Sequence, residues 1–402
     1  MLILAGALLL GALPAAARVK LAALPRRERV DLQLDHAAFT LVEEERVVPL
    51  LASTPENGNN FVDFSWSTAQ VDKDSVLFRP LAVREGDAFR PLRGGEVKVV
   101  NIAYPPNENA LVFEVYAAQA CAAKVRVSYL VRSLGRSFAY RAVADREERF
   151  LEFKSYLVLA NRSGEEFLGA QVWAGLGPRL EASPAHGDDV RLLLDRAARV
   201  PVRKSYTFDW YTHGPLSAEK PFASRVLMHY VLRNDEANGL GRFPLPAGKA
   251  RLFLDDGRGG EAFLGEDWSA PTPLDGELSL FLGEARDVVC TRTIESNERR
   301  PVEGNLFDQE VKVRYELENF KDRAVTLDIV EQLNRLAAEY GTTAPGDAEW
   351  ELGQGTTPGL RLTTARGGAL PMLSVDLPAR PAEGQVEKRV LVLHVVLKNL
   401  WR

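Results

Sequence analysis

Along much of this chain apolar and polar residues alternate, and the alternation predicts strands. Lys312-Val313-Arg314-Tyr315-Glu316-Leu317-Glu318 is the cleanest run. Its Val313, Tyr315 and Leu317 share one face, and the charges take the other. Lys124 to Tyr129 repeats the pattern, and Val97 to Ile102 and Leu111 to Tyr116 read as further strands. Val390 to Leu397 is apolar at both parities apart from His394, which predicts a strand covered on both faces. Turn residues punctuate these runs at Glu56-Asn57-Gly58-Asn59-Asn60, at Arg93-Gly94-Gly95 and at Asp255 to Gly260. The last turn lies between Arg251–Leu254 and Ala262–Leu264 and predicts a hairpin. Helical spacing is confined to Asp188 to Ala198 and Asn334 to Tyr340.

One theme occurs three times. Leu157 to Ala160 ends in Asn161, Met228 to Arg233 ends in Asn234, and Val311 to Glu318 ends in Asn319. Each Asn opens a short polar turn that leads to a second apolar run. Asn suits such a place because its side chain bonds the backbone just ahead and tolerates left-handed dihedrals. The expected fold class is all-β, with tandem immunoglobulin-like β-sandwich domains and few short helices.

Length and composition sharpen the picture. The chain has 402 residues, 46% of them apolar, which suffices for several packed cores. Breaks near residues 135 and 222 divide it into sandwiches at 18–134, 135–222 and 223–402. The second break follows the Pro-bearing stretch Gly214 to Pro221. Residues 1–17 read as a cleaved export signal: an apolar run from Leu2 to Leu13, then Pro14 and Ala15-Ala16-Ala17 before Arg18. No Lys or Arg precedes that run. No later stretch is apolar for long enough to span a bilayer, so no transmembrane segment is expected in the mature chain. A net charge of −5 argues against a nucleic-acid partner. Cys121 and Cys290 are either a disulfide made in an oxidising compartment or two buried thiols.

Several segments resemble a family of secreted bacterial proteins known as domain of unknown function 4139, or mucoidy-inhibitor-like. The matching pieces include Gly58 to Val62 with Phe64 and Trp66, Asp74-Ser75-Val76 with Arg79-Pro80, and Val127 to Val131 with Tyr140. Asn161 to Glu165, Phe243 to Lys249, Phe263 to Glu266, Gly283 to Asp287 and Val313 to Asn319 continue the match. It spans most of residues 40 to 335. Larger relatives carry an additional N-terminal coiled-coil domain, which is not expected in this chain. The resemblance implies an exported, β-rich envelope protein and transfers no catalytic residues.

Candidate chemistry is sparse. Ser217-Ala218-Glu219-Lys220 spells S-x-x-K, but Pro215 and Pro221 bracket it in a linker and its usual partner motifs are missing. Gly241 to Lys249 lacks the spacing of a phosphate loop, and Pro244 and Pro246 remove backbone donors. Asp255, Asp256 and Glu261 are spaced for a hairpin tip rather than a calcium loop. His36, His186, His213, His229 and His394 show no zinc spacing.

The stretch Tyr206 to His213 admits two readings. Aromatics at a loop tip would offer flat faces to a sugar or a protein. Period two instead places Tyr206, Phe208 and Trp210 in a core and leaves Asp209, Tyr211 and His213 outside. Asp209, Trp210, Tyr211 and His213 therefore form the candidate binding strip. The expected function is that of an exported, periplasmic or extracellular, non-enzymatic envelope scaffold without a cofactor. Its expected partner is an envelope protein or a surface polysaccharide. A carbohydrate-binding or carbohydrate-processing protein is the alternative.

Overall fold

The computed structural model describes residues 18–20, 27–66, 70–213, 222–343, 349–358, 361–365 and 370–401. The export signal at 1–17 and the Ser217–Lys220 stretch lie outside the described residues. The protein is almost entirely β, with two short α-helices, Trp210–His213 and Leu333–Tyr340, and one 3-10 turn among the described residues. Neither helix is long and apolar enough to cross a membrane.

The chain divides into two compact units that do not follow chain order. The first comprises residues 1–139 and 154–196, the second residues 140–153 and 197–402. Each crossing falls inside a strand: Leu134–Ala144, Phe150–Asn161 and Asp189–Pro201. The last of these replaces the helix expected over Asp188 to Ala198. The segment is annexed to a sheet beside Phe150–Asn161, and ladder pairing overrides its helix-forming residues.

The first unit holds a four-stranded and a seven-stranded sheet. The smaller runs Arg18–Lys20, Asn60–Ser65, Ala110–Ala117, Val97–Ala103, so the last of these is an edge. The larger is centred on Thr40–Leu50 and Cys121–Val131. The two sheets meet through ring pairs, Phe64 on Tyr129 at 5.3 Å and Phe78 on Phe113 at 5.0 Å. Thr40–Leu50 buries every second residue: Thr40, Val42, Glu44, Arg46, Val48 and Leu50. Two charges thus sit at inward positions of the central strand.

The second unit is built on a nine-stranded sheet. Strands Glu277–Glu303 and Leu306–Asn319 form its antiparallel centre. Arg389–Trp401 lies outside the second of these. Phe222–Arg233, Arg203–Asp209, Val325–Val330 and Leu370–Leu377 follow on the other side. Inward residues from strands near both ends, such as Leu393 and Leu373, share one core with Leu333 and Leu336 of the helix. The sheet therefore curls around that core. Val313, Tyr315 and Leu317 are buried as their alternation predicts. The hairpin expected around Asp255 to Gly260 joins Gly248–Asp255 to Glu261–Ser269.

The threefold Asn theme has one geometry. Asn161 Nδ2 donates to the carbonyls of Glu165 and Pro184, at 2.8 and 3.0 Å. Asn234 donates to Phe243 and Pro273, at 3.2 and 3.1 Å. Asn319 donates to Arg323 and Pro378, at 2.9 and 2.7 Å. Each Oδ1 accepts a backbone N–H from the following turn: Ser163, Gly241 or Lys321. All three side chains are buried, so each amide spends its donors and acceptor on backbone groups shut off from water.

Candidate functional site

The strip read from the sequence lies where the Arg203–Asp209 strand turns into the one-turn helix Trp210–His213. Tyr206, Phe208 and Trp210 point into the core, and Trp210 is 0% exposed. It has no open face on which a sugar could stack. Tyr211 is also buried, at 9% exposure, and its hydroxyl donates to Glu339 Oε1 at 2.7 Å. Asp209 accepts from Thr212 Oγ1 at 2.7 Å and from Gln332 Nε2 at 2.8 Å on each oxygen. It works as a helix-starting and helix-docking carboxylate. The side chain of His213 lies outside the described residues. The structure thus joins Asp209 and Tyr211 to the helix Leu333–Tyr340 and sinks Trp210 beneath the surface.

What Trp210 and Tyr211 cover is a buried ion pair. Arg292 Nε donates to Glu331 Oε2 at 3.0 Å and Nη2 to Oε1 at 2.8 Å. Tyr315 donates its hydroxyl to the same carboxylate. The guanidinium carbon stands 5.2 Å from the Trp210 ring centre and 5.5 Å from that of Tyr211, within cation–π range. Burial works against the guanidinium's charge, and Glu331 beside it more than compensates, so Arg292 stays charged above its usual range. The first unit holds a similar group. Arg46 donates twice to Glu44 Oε2, at 2.9 and 2.8 Å, and Tyr129 donates to Oε1 at 2.7 Å. Arg27 adds a second cation, 3.0 Å from Glu44 Oε1. The Arg292 group is closed to solvent, and in the first unit only the Arg27 side chain reaches it, so both groups serve the cores.

One open cleft of the second unit was not singled out from the sequence. A cleft of about 610 Å³ is lined by Glu147, Glu148, Arg203, Lys204, Arg323, Asp328 and their neighbours. Glu148 is its hub. Its Oε1 accepts from Lys204 Nζ at 2.5 Å and from the Tyr230 hydroxyl at 2.6 Å, and its Oε2 accepts from Arg323. Burial raises this carboxyl, but the three donors outweigh burial and hold it at about 2. It is a fixed anion at neutral pH, poorly suited to proton transfer.

Glu148 also has φ 56°, a left-handed backbone that non-glycine residues adopt with strain. It closes the turn between Leu134–Ala144 and Phe150–Asn161, where Asp145 Oδ1 accepts from Arg149 N at 2.7 Å and Phe150 N at 3.2 Å. In sequence it is one of two adjacent acids in a polar turn, and only its left-handed position sets it apart. Across the cleft, Thr326 donates to Asp376 at 2.7 Å and Ser374 to Asp328 at 2.6 Å, between facing strands.

The remaining sequence candidates have local partners. Asp256 Oδ1 accepts from Arg258 N at 2.7 Å and Gly260 N at 2.9 Å, and Asp255 accepts from Gly257 N at 2.7 Å. Glu261 pairs with Arg141. These carboxylates shape the hairpin tip. His394 accepts from Gly355 N at 3.0 Å and faces Glu310 at 2.6 Å, and His186 accepts from Gly164 N at 3.0 Å. Cys121 and Cys290 are both free thiols. Comparison of the chain with family models and with curated proteins found no match to either.

Proposed function

We propose that this chain is an exported, non-enzymatic protein of the cell envelope, built of tandem immunoglobulin-like sandwiches, that works as a structural or protein-interaction scaffold. The observation that carries the reading is the edge strand Val97–Ala103. Among the described residues it pairs on one side only, with Ala110–Ala117. Lys98 is its one charged residue, and Val100, Ile102 and the following Tyr104 are 51%, 38% and 52% exposed. Protein edges are commonly guarded by charge, proline or bulges. Here a register shift at Val100 is followed by exposed apolar side chains, with Ile102 N donating to Asn101 Oδ1 at 2.9 Å and the other border groups facing outward. Such a border takes an extended partner segment by strand addition. The resemblance to secreted envelope proteins supports the same reading.

The test is capture of solubilised envelope protein and of purified envelope polysaccharide on the immobilised chain. The expected result is capture of protein that is lost in Val100→Lys/Ile102→Lys. Capture of polysaccharide with protein retained by neither form would reject it. The carbohydrate alternative has a different aromatic in its favour: Trp268, 71% exposed on the Glu261–Ser269 strand. Trp268→Ala would abolish polysaccharide capture under that alternative.

A further inference from the structure

The outer border of the strand Arg389–Trp401 is covered by a strap of the same chain. Trp350–Leu352 pairs with it antiparallel. Residues 353–357, Gly-Gln-Gly-Thr-Thr, continue along it in another way. Gly353 N donates to His394 O and Thr357 N to Val392 O, each at 2.9 Å. Thr356 Oγ1 donates to His394 O at 3.0 Å and accepts from His394 N at 3.1 Å, and Thr357 Oγ1 accepts from Val392 N at 2.8 Å. Two threonine hydroxyls thus stand in for the backbone of a neighbouring strand. Beside them the strap rests on the His394 ring, which is buried. A Cβ at Gly353 would meet that ring at 2.2 Å and one at Gly355 at 3.0 Å, so glycine is what lets the backbone come this close. Gly355 N donates to Nδ1 at 3.0 Å. That nitrogen therefore carries no proton, and Nε2 donates to Glu310 Oε1 at 2.6 Å.

We propose that His394 is an acid-sensitive latch, whose protonation at Nδ1 releases the strap 353–357 from the sheet border. Histidine is the side chain that ordinarily changes charge within the physiological pH range. Among the described residues Nδ1 bonds only Gly355 N. A proton there takes the acceptor away and sets two N–H groups against each other at hydrogen-bond distance. Water supplies the missing partner once the strap lifts. The charges around the ring act in both directions. On the strand Leu306–Asn319, Glu310 favours the charged ring, and Lys312, opposite His394 in the register, opposes it. Arg300, from Glu277–Glu303, holds the other oxygen of Glu310 and weakens its pull. On the strap side Glu351 is already paired, with Lys398 at 2.7 Å. The strap is therefore closed over a neutral ring and open over a charged one. Opening returns the N–H and C=O groups of Val392 and His394 to water. The latch is independent of the edge-strand reading, and either can fail alone.

The test is amide hydrogen exchange of the full chain at pH 7.5 and pH 5.5, read by mass spectrometry on the peptide that covers the strap. Each rate is divided by that of an unstructured peptide at the same pH. Protection of the strap falls about tenfold at pH 5.5, while the strand Leu306–Asn319 keeps its own. His394→Asn offers Gly355 an acceptor that does not titrate, and its strap is equally protected at both pH values. Glu310→Gln removes the carboxylate that favours the charged ring, and the strap then opens at a lower pH than in the wild type. Equal protection of the wild-type strap at both pH values overturns the proposal. So does a fall as large in His394→Asn, opening of Glu310→Gln at the wild-type pH, or a loss of protection shared with Leu306–Asn319, which would mark general loosening.

Discussion

Arg292 and Glu331 form a two-bond ion pair in which neither side chain has any exposed surface. Its attraction competes with the desolvation of both ions, so the pair is worth less than its geometry suggests. Losing one partner is another matter, because the survivor stays buried with its charge. Arg292→Met or Glu331→Leu should each destabilise the second unit by about 3–5 kcal/mol. The double variant should lose less than either single change. Urea unfolding, followed by tryptophan fluorescence, checks this. Purely additive losses would show that the two residues are not coupled.

Glu148 makes stability depend on acid. Its folded carboxyl titrates at about 2, below its ordinary 4.5. Its contribution is therefore complete above about pH 4.5 and lost as pH falls towards 2. With partial solvent screening, the amount is on the order of 2 kcal/mol. Glu148→Gln should lower stability at pH 7 and flatten the stability profile between those limits. A variant profile as steep as wild type would exclude Glu148 as the source.

The backbone at Glu148 gives a second, separable effect. Glu148→Gly relieves a left-handed strain of about 1 kcal/mol but removes the carboxylate. It should therefore be less destabilising at pH 7 than Glu148→Gln, although glycine makes no bond to Lys204, Tyr230 or Arg323. Equal losses in the two variants would mean that the turn carries no strain.

The Asn theme and the clean strands were legible because they rest on local rules. Alternation places Val313, Tyr315 and Leu317 inward wherever the strand pairs, and Asn at a strand end bonds its own turn. The proline carbonyls at 184, 273 and 378 were not legible, since they arrive from distant sequence. The buried ion pairs left a signal that went unused. Cys290, Arg292 and Ile294 share a parity, as do Val325, Leu327, Ile329 and Glu331. In each run a charge interrupts an inward row. Val42, Glu44, Arg46 and Val48 show the same interruption in the first unit. Trp210 obeyed period two in its burial even though the backbone had already turned helical. The cleft could not be read, because its charges come from three segments joined only by folding.

The three Asn clamps predict a common cost. Replacing Asn234 by Ala removes the donor to the Phe243 carbonyl, leaves Pro273 O with only Gly276 N, and removes the acceptor for Gly241 N. A loss of about 2–3 kcal/mol is expected. Asn234→Asp should be no milder at pH 7, because it turns a carboxylate towards two carbonyls, and should recover as pH falls and the acid gains a proton. Unfolding midpoints at pH 7 and pH 4 measure both. An Asp variant that is more stable at the higher pH would contradict the assigned amide orientation.

The two thiols differ in what must happen before they react. Burial raises Cys290 well above the usual thiol range, and Glu331 adds to that while Arg292 opposes it. Cys121 is raised too, by partial burial and the nearby Glu96 charge, but it keeps some exposed surface. Only the thiolate attacks a disulfide reagent, and only where the reagent can reach it. Ellman's reagent should therefore titrate one thiol slowly in the native chain and two in urea. Labelling at Cys290 then reports opening of the strand that also carries Arg292. Arg292→Met should speed that labelling while leaving Cys121 unchanged, because the lost pair lies in the second unit and Cys121 in the first. If both thiols react at one rate in the native protein, the burial of Cys290 is not maintained in solution.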